Sequence, residues 1–271
     1  MTVLALDRGK PAALDRIGGK ARGLAQLFEL GLPVPPAVVL TTDAHERWRG
    51  RGGVADADRR ALEDVLARLG DPLAVRSSAV DEDAGDRSAA GQYESVIGVR
   101  GINELLAAVE HCWRAAESER ASAYRGGEAS RVALVVQRMV PADRAGVAFS
   151  ADPLTGDRSA VIVEAVFGYG EGAVAGTITP DRYAVAREGG TVRARVADKV
   201  AVAAGDGTLT PLPVERRLAR TLRDDEALAV ADLTLKAEQG LRRPVDVEFC
   251  FAGPNLWAVQ CRAITTLGDD A

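Results

Sequence analysis

The feature that most constrains the fold is a run of strict alternation near the C-terminus, Val245-Asp-Val-Glu-Phe-Cys-Phe-Ala-Gly-Pro-Asn-Leu-Trp-Ala-Val-Gln-Cys-Arg262. In a β-strand successive side chains point to opposite faces, so Asp246 and Glu248 share one face while Val245, Val247, Phe249 and Phe251 share the other. Gly253-Pro254-Asn255 supplies a turn, and the returning strand places Gln260 and Arg262 together, opposite Trp257, Val259 and Cys261. The polar faces of the two strands coincide only if paired residue numbers sum to an even value, which a loop of three residues, or of five from Ala252 to Leu256, provides. Glu248 then lies opposite Gln260, and Asp246 opposite Arg262. Two carboxylates and an amide oxygen suit Mg²⁺, and a guanidinium beside them suits a phosphate oxygen. The same pattern also describes a surface salt bridge between Asp246 and Arg262, and the hairpin by itself leaves both readings open.

A chain of 271 residues, 47% apolar and 27% charged, can bury one large core or two smaller ones. A net charge of −5 and the lack of a basic run with interleaved aromatics argue against a general nucleic-acid binder. Cys112, Cys250 and Cys261 are read as reduced thiols. The first residues lack the apolar run of a signal peptide, and no window spans a bilayer, so a cytoplasmic location is expected. Lysine is scarce, with only Lys10, Lys20, Lys199 and Lys236, which makes each one worth following.

Ile17-Gly-Gly-Lys20 opens a predicted helix whose apolar positions 24, 27, 28 and 30 form one face; Gly31 ends it, and prolines force an extended exit into a strand near residues 37–41. Glycines, first-turn amides and the Lys20 ammonium together favour an anion, although a solvated first-turn lysine satisfies the same pattern. Helices are predicted at 42–49, 56–69, 102–124 and 213–239. Between the second and third of these, Pro72-Leu-Ala-Val-Arg-Ser-Ser78 reads as a strand delivering Arg76 to its end. The small and acidic residues from Ala79 to Ser95 then read as a mobile lid or an acidic surface loop. Ser77, Ser78, Gly91 and Gln92 offer donors to phosphate oxygens. The segment Arg125-Gly-Gly-Glu128 marks the expected boundary between an N-terminal subdomain, residues 1–127, and a strand-rich C-terminal one, residues 128–271. This is an α+β plan with antiparallel pairing. Phe167-Gly-Tyr-Gly-Glu-Gly lets backbone approach a ligand and adds Glu171, but it has neither a Walker lysine nor a Rossmann context.

In order along the chain, Gly-Gly-Lys20, Val-Arg76-Ser-Ser, Ala-Gly91-Gln, Val-Val-Gln137-Arg-Met-Val, Ala-Gly146-Val-Ala-Phe-Ser-Ala-Asp-Pro153-Leu-Thr-Gly, Gly-Tyr-Gly-Glu171, Thr-Pro180-Asp-Arg-Tyr, Asp246-Val-Glu248 and Val-Gln260-Cys-Arg262-Ala-Ile-Thr resemble the N-terminal nucleotide-binding domain of phosphoenolpyruvate synthase, pyruvate phosphate dikinase and rifampicin phosphotransferase. The resemblance covers nearly the whole chain. It implies an ATP-grasp-like fold with ATP in a cleft between two subdomains. On it, Lys20 and Arg76 neutralise phosphates, Gly91 and Gln92 lie in the covering loop, and Gln137, Arg138, Met139 and Val140 line the adenine through main-chain contacts. Glu171 lies near ribose or phosphate, Glu248 and Gln260 bind Mg²⁺ with Asp246 in support, and Arg262 clamps the transferred phosphate.

Three departures accompany the resemblance. The stretch between Thr41 and Val75 is shorter than in the relatives. Ala263 stands where they carry proline. Their histidine-bearing and substrate domains have no counterpart in these residues, and His45 and His111 both fall on predicted helices outside the motifs. The expectation is therefore a stand-alone ATP-binding component of a split dikinase-like phosphotransferase, passing the β-phosphoryl group of ATP to a histidine on a partner protein. The alternative is a self-contained ATP-grasp kinase or ligase acting on a small metabolite or antibiotic.

Overall fold

The computed structural model describes residues 3–6, 16–80, 94–123, 131–174 and 176–264, in two compact units. The division falls after Met139, with Leu30–Val34 belonging to the second unit. The boundary expected at residue 127 lies in a segment outside the described residues. The strand that follows it, β5 (Val132–Arg138), belongs to the first unit because it pairs with two of that unit's strands.

The first unit is a five-stranded antiparallel sheet in the order β1 (Val3–Leu6), β2 (Ala37–Leu40), β5, β3 (Leu73–Ala79) and β4 (Ser95–Val99). The helices α2 (Thr42–Arg51), α3 (Asp56–Leu69) and α4 (Gly101–Ala123) cover one face. Alternation explains which residues they cover. Val38 and Leu40 of β2, Leu73 and Val75 of β3, and Leu134 and Val136 of β5 enter one core with Trp48, Leu62 and Trp113. The helix α1 (Gly18–Glu29) packs on β3 and β5, and the other face of β3 carries Ala74, Arg76 and Ser78. The strand β4 was not expected from sequence. Ser77, which looked like a donor to phosphate, belongs to the helix-covered side, where its hydroxyl hydrogen-bonds the Cys112 thiol.

The second unit is a six-stranded antiparallel sheet. Its order is β13 (Asn255–Ala263), β12 (Val245–Ala252), β6 (Arg144–Phe149), β7 (Ala160–Phe167), β8 (Asp181–Ala186) and β9 (Val192–Arg195). The short helix α5 (Glu171–Val174) follows β7, and a two-stranded ribbon, β10 (Ala201–Ala203) with β11 (Leu209–Pro211), follows β9. The ribbon was not expected from the sequence.

The single helix expected at 213–239 is two, α6 (Val214–Arg217) and α7 (Asp224–Leu241). The interruption has a distant cause. The Thr221 amide donates to Asp181 Oδ2 at 2.8 Å and the Leu222 amide to the Tyr183 hydroxyl at 2.9 Å, so residues of β8 take the amides that a continuous helix would use. α7 then lays Ala227, Val230 and Ala231 on Ala148, Val163, Tyr183, Phe249 and Phe251. Among the described residues no helix is long and apolar enough to cross a membrane, and Cys112, Cys250 and Cys261 are buried free thiols.

Candidate functional site

The hairpin β12–β13 pairs Glu248 with Gln260 and Asp246 with Arg262, as alternation required. The turn is shorter than expected. Ala252 pairs with Asn255, which leaves Gly253 and Pro254 as the loop; Gly253 has φ 56° and proline follows, the sign order of a type II′ turn. Near the turn the paired numbers therefore sum to an odd value. A β-bulge between Glu248 and Phe249 leaves Val259 without a partner in the register and restores the even sum at the polar end. This corrects one further expectation. Trp257 lies opposite Cys250, on the face of Asp246 and Glu248, while Cys261 lies opposite Val247 on the α7 face.

That polar face extends across the sheet. Glu248 is level with Val147, Glu164 and Arg182 on successive strands, because their pairings are in line. Arg182 donates to Glu164 Oε1 at 3.0 Å and to Asp152 Oδ2 at 2.7 Å, fastening the loop after β6 to the sheet. Sequence reasoning missed Glu164 and Arg182. The usable signal was a lone acid at an alternating position in Val-Ile-Val-Glu-Ala-Val-Phe. Gln260 is 3% exposed, and Arg262 Nε lies 3.4 Å from Asp246 Oδ1, a loose cross-strand contact.

Glu171 opens α5, and its Oε2 is buried with no hydrogen-bond partner. An orphaned buried carboxylate oxygen is costly and is the kind of group a ligand hydroxyl or hydrated cation satisfies. Among the described residues no three of His, Cys, Asp and Glu gather as a preformed cation cage. Two carboxylates and an amide oxygen nevertheless fit Mg²⁺, which usually takes one or two protein carboxylates and completes its shell with water and phosphate oxygens.

In the first unit the start of α1 is tied to the end of β3. Ser78 Oγ donates to the Ile17 carbonyl at 2.8 Å and accepts from the Ala21 amide at 3.1 Å, serving α1 as an N-cap supplied from another element. Ser78 is therefore structural rather than a phosphate donor. Gly18, at φ 72°, brings its backbone so close to the Ser78 carbonyl that a Cβ would collide with it. Lys20 sits in this first turn only 9% exposed, unlike a solvated surface lysine. Arg76 lies two residues before Ser78 on the same face of β3, and Gln137 pairs with Ala37 and Ala74 there. Gln137 is 3% exposed and its Nε2 has no hydrogen-bond partner. The amides of Arg138 and Met139 already donate to the Pro36 and Pro72 carbonyls, at 2.9 and 3.0 Å, so main-chain donation from those two residues to an adenine is not on offer. Val140 is the first residue of the following stretch of the second unit. Gly91 and Gln92, with most of the expected lid, lie outside the described residues.

The two histidines differ in access to solvent. His45 is 4% exposed and stacks 5.8 Å from Trp48 and 5.7 Å from Trp113, with Nε2 3.4 Å from Glu117 Oε1. His111 is exposed on α4, 3.6 Å from Glu94.

The sequence profile of the family described as "Pyruvate phosphate dikinase, AMP/ATP-binding domain" matches residues 52–271. The prodigiosin synthesizing transferase PigC of Serratia marcescens is 34% identical over 97% of this chain and 33% of its own length. A rifampicin phosphotransferase of a Streptomyces species is 33% identical over 94% of this chain and 35% of its own. A probable phosphoenolpyruvate synthase of Methanocaldococcus jannaschii is 29% identical over 97% and 26%. The chain thus spans about a third, or less, of the length of these relatives.

Proposed function

Because the chain belongs to the family of pyruvate phosphate dikinase AMP/ATP-binding domains, we propose that it binds MgATP and passes the β-phosphoryl group to a histidine carried on a separate polypeptide, leaving AMP and phosphate. The observation that carries this reading is the hairpin register, which sets Glu248 opposite Gln260 and Asp246 opposite Arg262 on one face. Magnesium, when bound, draws charge from the phosphate oxygens. Glu248 and Gln260 hold it, and Asp246 supports them and steadies Arg262. Arg262 clamps the transferred group, and Lys20 and Arg76 neutralise phosphate charge. Gly91 and Gln92 cover the phosphates, Gln137 and Val140 line the base, and Glu171 accepts from ribose or meets phosphate. In phosphoryl transfer of this type the protein mainly positions groups and neutralises charge, with little covalent chemistry of its own. The histidine nitrogen attacks the β-phosphorus, the bond to the α–β bridging oxygen breaks to release AMP, and water takes the terminal phosphoryl group to give phosphate.

The burial of His45 in a three-ring cluster with Trp48 and Trp113 supports an acceptor outside these residues. One relative is a rifampicin phosphotransferase and another a probable phosphoenolpyruvate synthase, so members of this family end on different substrates. The test is incubation of the chain and a histidine-domain protein from its own organism with β-labelled or γ-labelled MgATP. Label on the protein from the β position, with AMP as product, is expected. ADP as the sole nucleotide product, with label passing from the γ position to a small molecule, overturns the dikinase reading in favour of a self-contained kinase or ligase.

A further inference from the structure

Of the four lysines the proposed chemistry uses only Lys20, and among the other three Lys199 is buried. Lys199 is 0% exposed, as is its partner Asp181, and Lys199 Nζ donates to Asp181 Oδ1 at 2.5 Å. Asp181 gathers further donors: the Ala197 amide at 2.8 Å and Thr221 amide at 2.8 Å, with the Tyr183 hydroxyl at 3.3 Å. Lys199 also donates to the Ala197 carbonyl at 3.1 Å, and its ammonium lies 5.6 Å from the centre of the Phe167 ring. Taking two charges out of water is costly, and here the remaining hydrogen-bonding capacity of the carboxylate is satisfied by main-chain donors, which ties both side chains to fixed positions.

What the pair fixes is the root of the β10–β11 ribbon. Lys199 lies two residues before β10, and its amide donates to the Arg217 carbonyl. β11 is exposed along its whole length, so the ribbon has little packing of its own on that strand. Its inner edge, however, is the bench on which the glycine loop before Glu171 rests. Gly168 bridges to Ala203 and has its Cα against the Ala203 carbonyl, and the Tyr169 amide donates to that same carbonyl at 3.1 Å. Ala203 packs with Val166 and Ile178, and Tyr169 and Ala173 join them. Gly205, in the ribbon's turn, leaves room for the Tyr169 ring.

We propose that the Lys199–Asp181 pair is a positioning device for the nucleotide loop, holding Gly168 to Gly172, and through them Glu171, by anchoring the ribbon on which they sit. This rests on the reading of Glu171 as a nucleotide contact. Lys199 and Asp181 touch no ligand in it; they act through β10.

Two variants of the full chain test it. Lys199→Met keeps an apolar stem and, made together with Asp181→Asn, removes the charges without stranding one of them. Gly205→Ala leaves the pair intact but puts a methyl 2.9 Å from the Tyr169 ring, at a φ any residue adopts. Hydrogen exchange without nucleotide reads the mechanical link directly. The Tyr169 amide and those of 171–174 should exchange at least about tenfold faster in each variant, with Val163 and Phe249 unchanged. MgATP affinity by calorimetry should fall by about tenfold, as when a supporting residue behind a ligand is lost. If the double variant does not fold, Lys199→Met alone, which leaves Asp181 its Ala197 and Thr221 amide donors, takes its place. Unchanged exchange at Tyr169 in a folded variant, or faster exchange with unchanged MgATP affinity, overturns the proposal. A wild-type chain that does not bind MgATP overturns the nucleotide role of Glu171, and the exchange result then still decides whether the pair anchors the loop.

Discussion

Replacing Ser78 by alanine should cost the first unit about 2 to 4 kcal/mol. The hydroxyl is fully buried, and it makes two bonds to α1 from fifty-seven or more residues away in sequence, to the Ile17 carbonyl and from the Ala21 amide. Each net bond contributes roughly 0.5 to 1.5 kcal/mol, and leaving a buried partner unsatisfied raises the loss to about 1 to 3 kcal/mol apiece. An ordinary N-cap deletion costs about 1 kcal/mol, so the excess measures how far water is kept from this junction. Trp48 and Trp113 sit in the core of the first unit, so their fluorescence in a Trp257→Phe background follows that unit's urea transition. With two units the transition is read from these probes alone, without assuming that the whole chain unfolds in one step. Because Lys20 rides on the same first turn, MgATP affinity should fall in parallel. Gly18→Ala should be worse, since it adds backbone strain at φ 72° to a collision with the Ser78 carbonyl. A Ser78→Ala loss below about 0.5 kcal/mol, the range of an ordinary surface substitution, would refute the idea that β3 caps α1.

Glu248→Gln keeps the shape of the side chain and the strand pairing but removes a charge. MgATP affinity by calorimetry should drop by about 10- to 100-fold while the thermal midpoint hardly moves, and unchanged affinity would remove Glu248 from the site. Alkaline stability offers a check on the first core. Burial pushes the Cys112 thiol from 9.0 up to about 11, so the folded state holds a proton that the unfolded chain releases first. That contribution, up to about 3 kcal/mol, is complete below pH 9.0 and is lost as pH rises to about 11. Cys112→Ala should therefore lose less stability than wild type over that interval, and parallel curves in urea titrations at the two ends would contradict the burial argument.

The parts of the fold that were legible are those set by local period and punctuation. Gly-Gly-Lys followed by apolar spacing gives α1, the double proline gives the entry to β2, and the lone arginine in Leu-Ala-Val-Arg-Ser-Ser marks β3. The parts that were not legible depend on partners far away in the chain. Within residues 213–239 only the acidic run Asp224-Asp225-Glu226, whose Glu226 accepts from the Arg223 amide, marks a new helix start, and the groups that hold the break open are Asp181 and Tyr183 on β8. Lys199 carries no motif, and only its complete burial against Asp181 separates it from a surface lysine. The Arg182 bridge to Glu164 and Asp152 escaped for the same reason, since three residues at unremarkable spacings meet only after β6, β7 and β8 are paired.

The hairpin combines both cases. Its polar pairs follow from alternation, yet the loop first inferred from them is one residue too long, because a two-for-one pairing of the backbone leaves no trace in side-chain period. The bulge is nevertheless forced by the sequence. A Gly-Pro turn of two residues sets an odd register, which correctly stacks Leu256 and Ala258 beside Phe251 and Phe249 on the α7 side. Continued without interruption, that register would place Gln260 opposite Val247 and Arg262 opposite Val245. The amide and the guanidinium would then sit on the apolar α7 face, with the uncompensated burial costs of both. Dropping Val259 from the ladder keeps the phenylalanines inside at one end and returns Gln260 and Arg262 to the acids at the other. The even sum belongs to the site and the odd sum to the turn, and the bulge is where the core and the polar face are reconciled.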